Sequence, residues 1–158
     1  MKKITAILLT LILTLSLSAT AFAAEINQDS DPKTTNVEVT TSIEPTYTVT
    51  IPSDTKVEFN AETTSFGAVI LDAAQIDPGY AVRVELNADG TLENQADTSK
   101  TIAYTVEDEN GAAFTAAEYT AAGEETPLTI NITKDSWNAA FAGDYSDIVT
   151  FTVSYVEA

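Results

Sequence analysis

The chain has 158 residues, 24 of them acidic and 7 basic, giving a net charge of −17, and it contains neither histidine nor cysteine. That surplus of negative charge excludes a nucleic-acid partner, because phosphate binding needs Lys and Arg to neutralise it, and it disfavours anionic membrane surfaces. Without cysteine or histidine there is no disulfide, no thiol nucleophile and no set of the usual zinc or copper ligands, so stability must come from packing and any catalysis from carboxylates, Lys, Ser or Tyr.

Residues 1–23 read as a cleaved secretory signal: Met1-Lys2-Lys3 is positive, Ile4 opens an apolar run that reaches Leu17, and Ala21-Phe22-Ala23 sets small residues where a signal peptidase reads. The run is shorter than the roughly 20 residues that span a bilayer, so cleavage is expected rather than anchoring. The expected location is therefore secreted, extracellular or on the cell surface, with the periplasm left open. Residues 24–35 are mostly polar, with Ile26 the one large aliphatic side chain, and read as a flexible N-terminal tail. Residues 36–158 are long enough for a single domain with its own core.

From residue 36 a two-residue alternation recurs. Val37, Val39 and Ile43 predict a strand over residues 36–43, separated from the next by Glu44-Pro45. Tyr47, Val49 and Ile51 form a second set, stopped by Pro52, and Val57 and Phe59 continue the pattern. Residues 68–71 are a continuous apolar run, as in a strand covered on both faces or one crossing between sheets. Asp77-Pro78-Gly79 is a turn, and Val82, Val84 and Leu86 alternate after it. Ile102, Tyr104 and Val106 follow, closed by Asn110-Gly111, a strong hairpin signal. The alanine-rich residues 113–122 read as strand and loop, and Leu128, Ile130 and Ile132 repeat the alternation. Residues 136–142 have helical spacing, with Trp137 and Phe141 four apart, Ser136 as a cap and Gly143 as a stop. Val149, Phe151, Val153 and Tyr155 form the last and most regular set. The pattern predicts an all-β fold: an antiparallel, Ig-like or Greek-key β-sandwich of about 7–9 strands with one short helical turn.

The stretch Ala142-Gly143-Asp144-Tyr145-Ser146-Asp147, running into the Thr-rich final strand, resembles the end of bacterial surface sandwiches such as spore-coat-U-like and pilin-like or adhesin-like domains. Thr46-Tyr47-Thr48-Val49-Thr50-Ile51-Pro52 is similar to their first core strand. In this resemblance Tyr145 would be a tyrosine corner, its ring in the core and its hydroxyl on a backbone group. The resemblance implies a structural or adhesive subunit whose N-terminal strand completes a neighbour's sheet.

Candidate chemistry is sparse. There is no phosphate loop and no nucleophile elbow, and carboxylate pairs among 24 acids single out no catalytic site, so no enzyme is expected. Calcium is the one cofactor left open, with Asp89, Asp108 and Asp144 as loop carboxylates that could converge at a sandwich end. Trp137, Tyr119 and Tyr145 would form an aromatic ligand platform, against the competing reading of a core plug. Two functions follow: a secreted, non-enzymatic structural or adhesive protein, pilin-like, forming homo-oligomers or binding a surface partner by β-strand addition; or a carbohydrate- or peptide-binding module.

Overall fold

The computed structural model describes residues 24–158 and divides the chain after Thr41. The expected leader lies outside the described residues. In the first unit, residues 24–41 contain no strand; a turn is held by Ser30 N donating to Asn27 O at 3.2 Å and by Asp29 N donating to Asn27 Oδ1 at 2.9 Å. Residues 36–43, expected as a strand from their spacing, form none, because a strand exists through its ladder and these residues pair with no other strand among the described residues. Val37, Val39 and Ile43 are 79, 91 and 62 % exposed.

The second unit, Ser42–Ala158, holds β1 (Thr46–Thr50), β2 (Thr63–Gln75), β3 (Tyr80–Asn87), β4 (Thr91–Asn94), β5 (Thr101–Ala103), β6 (Thr105–Glu107), β7 (Ala116–Tyr119), β8 (Glu125–Asn131), α1 (Lys134–Ala139), β9 (Tyr145–Ser146) and β10 (Thr150–Glu157). All pairings are antiparallel, in three sheets ordered β1-β2-β8-β6, β10-β3-β7 and β5-β4-β9. The first two sheets supply the two faces of a sandwich. Val69, Leu71 and Leu128 from one meet Val82, Val84 and Tyr119 from the other in a single buried cluster. Burying each such aliphatic side chain contributes about 1.5–3 kcal/mol. The expected all-β sandwich is the fold observed.

β2 carries the apolar run, and two bulges make that run work. Ser65 pairs with Thr129 and Gly67 with Leu128, so Phe66 and Gly67 together oppose one residue, with Gly67 at φ 111°. Thr48 pairs with Ala73 and Val49 with Leu71, which leaves Asp72 as an extra residue whose carboxylate accepts from Thr50 Oγ1 at 2.6 Å. Each extra residue flips the strand's parity. The inward set therefore moves from Phe66 to Val69 and Leu71, and then to Ala74.

Two local expectations need correction, and a third element takes a position the spacing left open. The helix begins two residues early: Thr133 is the N-cap, its hydroxyl accepting from Ser136 N at 3.1 Å, and the chain is already extended at Ala140, before Gly143. The Asn110-Gly111 turn does fold, with Gly111 N on Asp108 O at 3.0 Å, but its outgoing arm makes only the Glu107–Ala113 bridge before the chain leaves to pair β7 with β3. The most regular alternation, in β10, lies at a sheet edge, where Val153 is 37 % exposed.

Candidate functional site

β1 and β10 are outer strands of the two facing sheets, so each has one edge of unpaired N–H and C=O groups. At one end the two strands are clamped by aromatic stacking. Tyr155 lies between Tyr47, at 6.1 Å between ring centroids, and Tyr80, at 5.0 Å. Its hydroxyl accepts from Asp77 N at 2.7 Å and donates to Asp77 Oδ2 at 3.0 Å. Beyond the clamp the strands part. The chain leaving β1 runs through Pro52, and residues 53–57 make no backbone–backbone hydrogen bond among the described residues.

Between these residues and the start of β10 lies a groove of about 440 Å³, walled by Ile51, Val57, Val149 and Phe151 and floored by Phe66 and Val106 of the core. Ring centroids of Phe66 and Phe151 are 6.0 Å apart. Ser53, Asp54 and Thr55 add polar groups to one wall, and a polar pair lies among the rest: Tyr104 donates to Asp147 Oδ2 at 2.5 Å, while Asp147 Oδ1 accepts from Ile148 N at 2.6 Å. Burial, followed by the hydrogen bond to the Asp147 carboxylate, pushes the Tyr104 hydroxyl well above its usual range, so it stays a donor.

A second cleft of about 550 Å³ adjoins the first and shares Val57, Leu92 and Asp147 with it. Trp137 and Tyr145 line it together, as the sequence grouped them, but Tyr119 does not: it is 2 % exposed in β7, its hydroxyl donating to Thr126 Oγ1 at 2.7 Å. Trp137 donates through Nε1 to Ala61 O at 2.9 Å. Tyr145 has the corner geometry, its ring against the core and its hydroxyl donating to Phe141 O at 3.0 Å. The sequence reading missed Phe59, which spacing placed in an inward-facing strand but which is 77 % exposed over Trp137. It also missed Asn94, a buried amide whose Oδ1 accepts from Ala96 N at 2.9 Å and against which a side chain at Gly143 would collide.

The loop carboxylates stay apart in role. Asp89 Oδ1 accepts from Thr91 N at 2.9 Å, Asp108 Oδ1 accepts from Asn110 N at 2.8 Å, and Asp144 is exposed beside the second cleft. Among the described residues no group of three or more Asp or Glu side chains is placed to hold a metal ion, and no helix is long and apolar enough to cross a membrane.

No protein-family model matches the chain, and neither does any curated protein. Among solved structures, a chain from a chaperone–tip adhesin complex, described as vital for synergistic activation of CFA/I fimbriae biogenesis, is similar over 68 % of this chain at 13 % identity and a TM-score of 0.46. The present chain spans 42 % of that chain's length.

Proposed function

We propose that this is a secreted, non-enzymatic structural or adhesive protein of the cell surface, a subunit that assembles by donating residues 36–43 to the open edge of another copy. The observation that carries this is the pairing of a mainly apolar groove between two sheet edges with a segment outside the sheets whose Val37, Val39 and Ile43, all of one two-residue parity, stand exposed. An added strand would satisfy the free edge of β10 with main-chain hydrogen bonds, and its alternate side chains would enter the groove. Eight residues at about 3.3 Å each reach about 26 Å, the length of an eight-residue strand such as β10.

Chain connectivity favours donation to a second molecule. Only Glu44 and Pro45 lie between Ile43 and the start of β1. Folding back on the same molecule would reverse the chain in two residues with proline second, a position its ring disfavours in the common turn. A second copy imposes no such reversal. The non-enzymatic part of the proposal is supported by the absence of histidine and cysteine and by a mainly apolar groove in which Tyr104 and Asp147 are engaged with each other.

Light scattering on residues 24–158, beside a version beginning at Pro45, tests it. Oligomers formed by the long form and lost in the short one are expected. A long form that stays monomeric at every concentration would remove self-assembly.

A further inference from the structure

The second cleft has a different chemistry from the groove beside it. Phe59 sits at the tip of a tight turn in which Ala61 N donates to Glu58 O at 3.0 Å. Asn60 in that turn has φ 62°, the one non-glycine residue with positive φ among those described, a left-handed conformation that Asn adopts more readily than most side chains. The turn is pinned from below by the Trp137 indole N–H on Ala61 O, and the Phe59 ring stands edge-on to the Trp137 ring at 5.7 Å and 82°. A large apolar ring is thus held in solvent at a tight turn whose left-handed position is filled by an Asn suited to it, where burial would ordinarily be favoured.

In the same lining, Gly143 passes close over the buried Asn94 amide and leads into Asp144, Tyr145 and Ser146. Asp144 uses its backbone oxygen to accept from Gln95 N at 2.9 Å, while its side chain is exposed. The cleft therefore combines the rings of Phe59, Trp137 and Tyr145 with the Asp144 carboxylate and the Ser146 hydroxyl, and its size lies in the usual range for small-ligand sites.

We infer that this cleft binds a neutral saccharide of one or two pyranose rings, a function independent of assembly. A pyranose has a flat C–H face that suits the aromatic rings and a rim of hydroxyl donors that suits the Asp144 carboxylate and the Ser146 hydroxyl. Asp144 and Asp147 line the cleft, as does Glu58, whose charge is offset by Lys56 Nζ at 2.9 Å, so the lining stays net negative and an uncharged sugar is favoured over an acidic one.

Trp137 is the chain's single tryptophan, so its emission reports the cleft directly. Residues 24–158 are titrated with lactose, cellobiose, maltose and N,N′-diacetylchitobiose, at low and high salt, with tetralysine as a charged control. A saturable change with at least one disaccharide is expected, insensitive to salt and weakened at least tenfold in Phe59→Ala and in Asp144→Asn, both surface changes whose melting temperatures should match the parent. No saturable response to any of the four sugars, a response that survives Phe59→Ala, or binding of tetralysine alone that salt abolishes would each overturn the inference. None of these outcomes bears on whether the long form oligomerises.

Discussion

Tyr104 is the single residue between β5 and β6, and its hydroxyl reaches through the groove floor to Asp147. Because burial and the Asp147 carboxylate raise its ionisation above the ordinary tyrosine value of 10.0, the folded state holds the phenolic proton more tightly than the unfolded chain does. The stability this contributes is complete below pH 10, where neither form ionises, and declines as pH rises above it, since the unfolded chain then gains by losing the proton. Urea denaturation across that range should show the decline, and Tyr104→Phe should shallow it, with Tyr119 retaining part of the slope because burial raises its hydroxyl as well. Little of this pair could be read in advance: Tyr104 was visible as an inward-facing residue, but nothing in the spacing joins it to a carboxylate 43 positions away. Tyr145 was legible because its partner lies only four residues upstream. Phe59 was misplaced because period-two spacing continues into a turn as readily as into a strand.

Among the strands, alternation located the inward faces of β3, β8 and β10 without distinguishing central strands from edges. Leu71 in β2 is fully buried between two partners, whereas Val153 in β10 is an equally regular member of its set yet 37 % exposed. Leu71→Ala is expected to cost about 2–5 kcal/mol, by loss of transfer energy and the cavity left behind. Val153→Ala should cost under about 1 kcal/mol, since much of its surface already meets water. Chemical denaturation midpoints separate the two, and similar losses would mean that β10 is covered in solution. The bulges of β2 were legible only as a continuous apolar run: an inserted residue makes both parities apolar, but the run alone does not say where the register slips. The helix start was missed because Thr133 and Ser136 are both good caps, and the choice between them was made by the tertiary placement of Trp137, not by propensity.

At the scale of the whole molecule, charge and the open edge act against each other. Each copy brings a net charge of −17 counted over the full chain, while the groove that would receive a neighbour is mainly apolar. Association driven by apolar burial and backbone pairing but opposed by like charge should strengthen with salt, because the screening length falls from about 10 Å at 0.1 M to about 3 Å at 1 M. Sedimentation at low and high salt is expected to show larger assemblies at high salt; the reverse would mean that ion pairs hold the copies together. The two-residue tether between residues 36–43 and β1 also has a mechanical meaning. In a row of such subunits, tension would enter each molecule through the strand added to β10 and leave it through the tether at the start of β1, so pulling loads the β1–β2 ladder. Five register pairs would then resist together instead of opening one at a time, and the connection between neighbours would contain no slack segment to stretch before the folded unit bears the force.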